Sequence, residues 1–160
     1  MMMNIELLNK VTAFLWLEAD MLDHNELDAW ILLWEKEGTY IIPIDTTQSD
    51  YANTLNYAHD NDEMRRMRIA RLESGHAISS TPRATTTRTV SRIRILSDED
   101  NLVTVRCAQS LWEHRKETVR NYVADVEFQL LKEGDSFKIY RKVINLVNAT
   151  NPLAGIGYIL

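Results

Sequence analysis

The order of elements predicts an α+β domain, with N-terminal helices packed on one face of a curved, mainly antiparallel sheet. Two observations carry that prediction. Up to about residue 74 apolar residues recur at spacings of three and four, whereas from Thr87 onward the period is two. A third supports it: the later segments are separated by short charged or glycine-containing breaks that suit hairpin turns.

Ile5, Leu8, Thr12, Leu15, Ala19 and Leu22 fall on one face of a first helix over residues 5–22, with Asn4 as its N-cap. A second helix is expected from Asn25, whose side chain would cap it while Asp28 sits in the first turn. Its stripe would be Leu27, Trp30, Ile31 and Trp34, and its end Gly38. TYIIPI (39–44) reads as a short strand, placed at an edge or strand end by Pro43, which has no amide to donate. Residues 46–60 read as a loop, after which Asp60 or Asn61 caps a third helix reaching Ser74. Then the alternation begins. Val103, Val105, Cys107 and Leu111 share one strand face, and Tyr122, Ala124, Val126, Phe128 and Leu130 share another. Glu113–Glu117 and Glu133-Gly134-Asp135 are turns, and Phe137–Asn148 is a closing strand.

Composition narrows the function. With 160 residues and 45% hydrophobic content, the chain is expected to form one domain (1–160) with a core that needs no disulfide or metal. A single cysteine, Cys107, cannot pair internally, which suits a reducing cytoplasm. The N-terminal segment is broken by Glu6, Asn9, Lys10 and Glu18, so neither a signal peptide nor a membrane span is expected. A net charge of -5 argues against a nucleic-acid partner. That charge is uneven: residues 18–50 hold nine acidic residues and one lysine, whereas residues 65–94 hold eight arginines and one glutamate, so the two halves are expected to face each other or a partner.

The stretch from Arg68 to Leu96 is the most informative. It places Arg68, Arg71, Leu72, Ser74 and Gly75 ahead of Thr81, Pro82, Thr87 and Arg88, and those ahead of Val90, Ser91, Ile93, Arg94 and Ile95. Upstream stand Glu18, Ala19, Leu22, Asp23, Trp30, Tyr40 and Pro43; downstream, Phe137 to Asn148 forms the last strand. In order and spacing this resembles the small (β) subunit of the aromatic-ring-hydroxylating dioxygenases, over nearly the whole chain. His24 departs from the acidic or small polar residue common there, and Arg92 from a frequent asparagine.

The resemblance implies a cone-like fold similar to nuclear transport factor 2 (cystatin-like). It also implies a non-catalytic structural role: a homotrimer supporting three large (alpha) subunits in a heterohexamer. The large subunits would carry the Rieske [2Fe-2S] cluster, the non-haem Fe(II) and the aromatic substrate, with electrons from NAD(P)H. Residues 56–75 and the Ser-Thr-Pro loop look closer to members acting on aromatic acids such as benzoate or anthranilate. No catalytic, cofactor or metal residue is expected in this chain. A Rieske cluster takes two cysteines and two histidines, and His24, His59, His76 and His114 include no i,i+4 pair.

Two further readings are carried forward. Arg88, Arg92 and Arg94 fall on one side of an extended strand by period two, so Arg71, Arg88 and Arg94, with Pro82 and Tyr158, are candidate subunit-interface residues. The apolar tail at residues 155–160 is expected to dock in its own or a neighbouring subunit. The alternative is a stand-alone cone-fold acid–base enzyme (dehydratase, isomerase or cyclase), with Asp45 and His59 or His76 in an apolar cavity.

Overall fold

Residues 3–74, 84–147 and 159–160 are described by the computed structural model. Three helices, α1 (Ile5–Asp23), α2 (Leu27–Ile31) and α3 (Asp62–Glu73), accompany six strands: β1 (Trp34–Pro43), β2 (Asn56–Asp60), β3 (Thr85–Glu99), β4 (Leu102–Arg115), β5 (Thr118–Glu133) and β6 (Ser136–Leu146). The strands form one sheet in the order β2-β1-β6-β5-β4-β3, antiparallel throughout except for the β1–β6 pair. Helix α1 packs across β3 and β6, and α3 against β1 and β2. The expected α+β layering is present.

Asn4 caps α1 as expected, its Oδ1 accepting the Leu7 amide at 3.1 Å. The buried stripe of α1 is rotated from the one read off the sequence: Leu7, Val11, Phe14, Leu15, Glu18, Ala19 and Leu22 face inward, while Ile5 is exposed. Glu18 in that stripe is the first sign of a buried polar site.

The second helix is a correction. Asn25 does not start it; with φ of 56° it ends α1. The Glu26 amide donates to Met21 O at 2.9 Å and the Asn25 amide to Leu22 O at 3.3 Å, the paired bonds of a left-handed helix stop, a conformation asparagine tolerates. Helix α2 is left with five residues, and Gly38 lies within β1 rather than at a helix end. A Cβ on Gly38 would sit 2.9 Å from Ile139 O and 3.0 Å from Trp34 Cε3, so glycine there permits close backbone approach to β6. Residues 46–60 are not all loop, because they include a 3-10 turn (Tyr51–Asn53) and β2. Asn61 caps α3, accepting the Met64 amide at 3.0 Å.

Strands β3 to β6 form a meander. The β3–β4 and β4–β5 turns place Asp100 and Asn101, then Lys116 and Glu117, at positive φ, the twisted two-residue geometry that matches a hairpin. Gly134 (φ 59°) serves the β5–β6 turn. Two bulges matter for function. Arg92, at φ 53°, breaks the β3–β4 register between Ser91 and Arg94, and the β5–β6 register shifts at Tyr140. Each inserts a residue and moves later side chains to the opposite face.

Candidate functional site

Two buried polar groups, one around Glu18 and Lys142 and one around Asp23 and Arg88, meet at the backbone of residues 159–160. Glu18, on the buried stripe of α1, accepts Trp30 Nε1–H at 2.8 Å and the Lys142 ammonium at 2.9 and 3.1 Å. Lys142 also donates to Leu160 O at 3.0 Å, and the Leu160 amide donates to the Tyr40 hydroxyl at 3.0 Å. A second cation lies alongside. Arg88 pairs with Asp23 and donates to Ile159 O, while Asp23 accepts the Arg88 amide at 2.8 Å and the Thr86 hydroxyl at 2.9 Å.

Glu18, Lys142 and Arg88 are all buried, so each charge requires its partner. Burial lowers the Lys142 pKa, and the Glu18 carboxylate opposes that shift. Burial raises the Tyr40 phenol well above its ordinary value, which keeps it protonated. The thiol of Cys107, 1% exposed, is pushed up to about 12 by burial and is a packing group. At the α3 end, Arg65 lies 4.2 Å above the Trp34 ring and donates to the carbonyls of Gly38 and Glu35, while Arg68 pairs with Asp60. These contacts tie α3 to β1 and β2.

Several sequence-derived site residues stand elsewhere than expected. Arg88 is not at the surface: its side chain is 1% exposed and bound to Asp23 within the chain. It shares no face with Arg94, because the Arg92 bulge turns Arg94 outward while Arg88 points in; the single arginine ladder is corrected to one buried residue and two exposed ones. Arg71 is exposed on α3. Pro82, Tyr158 and His76 lie outside the described residues. Asp45 is exposed in a tight turn, where the Thr47 hydroxyl at 2.6 Å and amide at 3.0 Å hold its pKa down, and His59 is exposed on β2. Asp45 and His59 are therefore both at the surface and not inside an apolar cavity. Of the four tryptophans, Trp30 and Trp34 are buried, whereas Trp16 and Trp112 are 57% and 49% exposed.

Glu18, Tyr40 and Lys142 carried no site role in the sequence reading. A carboxylate on the apolar stripe of α1 is a legible signal for Glu18. Lys142 has none, because strict alternation from Phe137 and Ile139 points it outward and only the Tyr140 bulge brings it in.

A metal centre does not fit these residues. Among the described residues no group of three or more histidine, cysteine, aspartate or glutamate side chains could hold an ion, and one cysteine cannot supply a Rieske cluster.

Helices packed on a six-stranded, mainly antiparallel sheet are the architecture of the cystatin-like cone, and a solved NTF2-like protein with a cystatin-like fold from Novosphingobium aromaticivorans superposes with a TM-score of 0.59, at 12% identity over 89% of this chain and 82% of its own. The beta subunit of benzoate 1,2-dioxygenase from Burkholderia mallei superposes better, with a TM-score of 0.78, at 22% identity over 93% of this chain and 95% of its own. In sequence, the anthranilate 1,2-dioxygenase small subunit of Acinetobacter baylyi is 26% identical over 152 residues, covering 91% of this chain and 93% of that one. The family described as "Ring hydroxylating beta subunit" matches residues 17–152, and the chain belongs to it. Its function is that of a small subunit in a multicomponent aromatic-ring dioxygenase, and this subunit is not the catalytic one.

Proposed function

We propose that the 160 residues form one domain that acts as a homotrimeric scaffold for three large subunits, in the cytoplasm, in a system that dihydroxylates an aromatic acid. The Rieske cluster and the mononuclear iron would sit in the large subunits, and the reductant would be NAD(P)H. The observation that carries the scaffold reading is the interior of the cone. Its buried cations are held by carboxylates and by backbone of this same chain, which leaves no free acid–base group facing a substrate space among the described residues. The aromatic-acid assignment draws support from the benzoate and anthranilate systems of the similar proteins. No helix is long and apolar enough to cross a membrane among the described residues.

Arg71 and Arg94 remain candidates for the subunit interface, together with Pro82 and Tyr158. Exposed Trp16 and Trp112 join them, since large amphipathic rings are favoured at contacts. Co-expression with a large subunit of an aromatic-ring-hydroxylating dioxygenase, followed by size-exclusion chromatography and light scattering, tests the proposal. The expected product is a complex of three large and three small chains, with iron confined to the large one. A chain that never associates, or that turns over an aromatic substrate alone, would refute it.

A further inference from the structure

Among the described residues, three polar groups contact the backbone of residues 159–160. The Tyr40 hydroxyl accepts the Leu160 amide at 3.0 Å, the Lys142 ammonium donates to Leu160 O at 3.0 Å, and the Arg88 guanidinium donates to Ile159 O. Both side chains are buried, Ile159 at 4% and Leu160 at 2% exposure, and both belong to the main apolar cluster. The three groups that read the backbone come from three strands, β1, β6 and β3, and two of them are oriented independently of the dipeptide. Glu18 holds Lys142 from α1 with help from Trp30, and Asp23 holds Arg88.

That is the construction of a preformed receptor. Its two cation donors are fixed by partners outside the ligand, its walls are apolar, and its recognition is addressed to main chain. We infer that the inner end of the cone is a peptide-binding site, and that its occupant is this chain's own Ile159–Leu160 dipeptide, seated as an internal ligand. The inference goes beyond the scaffold role and does not depend on it. It assigns a second duty to Glu18, Asp23, Trp30, Tyr40 and Arg88, residues on which the family resemblance rests. They build a clasp rather than a surface.

Ile159 lies thirteen positions beyond Leu146, where β6 ends. Emptied of the dipeptide, the site would present two buried cation donors and a phenol to an apolar space. A short peptide supplied from outside should then restore the missing contacts, because no covalent continuity is needed for the three hydrogen bonds.

A chain ending at Tyr158 provides the first test, with Ac-Ile-Leu-NH2 and Ac-Ile-Leu free acid as ligands and Ac-Ser-Asp-NH2 as control. The truncated chain should melt several degrees below the full chain. Either Ile-Leu peptide at millimolar concentration should raise its melting temperature and give a saturable titration heat, and the control should do neither. The full chain should bind none of them. Adding Lys142→Met to the truncated chain should weaken Ile-Leu binding by about tenfold or more. If the truncated chain folds and the peptides neither bind nor stabilise it, the receptor reading is overturned.

Should truncation prevent folding, amide exchange in the full chain decides. The Leu160 amide should be protected at least a hundredfold over an unstructured peptide, and Tyr40→Phe should cut that protection by about tenfold while neighbouring core amides keep theirs. An unprotected Leu160 amide overturns the inference. Protection that disappears on dilution identifies a neighbouring copy's tail as the occupant, and overturns the own-chain clasp.

Discussion

Among the described residues, replacing Lys142 with methionine removes the one ammonium in contact with the Glu18 carboxylate and leaves that carboxylate 1% exposed, with Trp30 Nε1 as its remaining hydrogen-bond donor. Breaking one side of a buried ion pair costs about 3–5 kcal/mol, because the surviving charge stays desolvated without compensation. At an m-value of about 2 kcal/mol/M, the urea midpoint should fall by about 1.5–2.5 M. The pair's own net worth is a separate quantity. Glu18→Gln combined with Lys142→Met removes both charges and keeps a carbonyl oxygen for the Trp30 indole, so it should recover at least about 2 kcal/mol of the single-variant loss. Equilibrium urea unfolding, followed by tryptophan fluorescence and by circular dichroism, measures all four corners of the cycle. The reasoning is refuted if Lys142→Met lies within about 1 kcal/mol of the parent, or if the Glu18→Gln and Lys142→Met effects simply add.

Three other outcomes are expected. Arg92 holds φ at 53°, a conformation that asparagine tolerates better than other side chains, so Arg92→Asn should stabilise the chain by a few tenths to about 1 kcal/mol despite losing its exposed pairing with Asp125; a clear drop in melting temperature would contradict the bulge assignment. Gly38→Ala forces a methyl within 3.0 Å of β6 backbone and the Trp34 ring and should cost about 1–3 kcal/mol, with chemical-shift changes centred on Trp34 and Ile139; a neutral variant would show that the β1–β6 approach is looser than described. Cys107, with a folded pKa of about 12 against 9.0 for the free thiol, holds its proton in the native state where the unfolded chain has lost it; its contribution is therefore fully present below pH 9 and lost as pH rises toward 12, by about 1.4 kcal/mol per unit. Cys107→Ala should flatten that part of the stability–pH curve, and native Cys107 should resist alkylation at pH 8; equal slopes in parent and variant would contradict the assignment.

Much of the molecule was determined by local sequence. Asn4 and Asn61 are placed where their side chains can cap helices, and both do. The period-two pattern from Val103 to Leu130 marks the inward faces of β4 and β5, where the pairing runs without a break and the alternation stays in phase. The motif order from Glu18 to Arg94 sufficed for the family resemblance and the cone fold it implies. What a period cannot carry is a change of phase. The bulges at Arg92 and Tyr140 each add one residue to a strand. The first sets Arg94 on the face opposite Arg88, and the second brings Lys142 into the core against Glu18. The cost of an inserted residue depends on the partner strand, so it is decided only when β3 meets β4 and β6 meets β5. The same holds for Asn25, whose side chain suits either helix end; it stops α1 because the Glu26 amide reaches back to Met21. The clasp on Ile159 and Leu160 is further still from the sequence. It needs β1, β3, β6 and α1 in place at once, since a buried lysine and a buried arginine are tolerable only where carboxylates from one part of the chain and carbonyls from another converge on them.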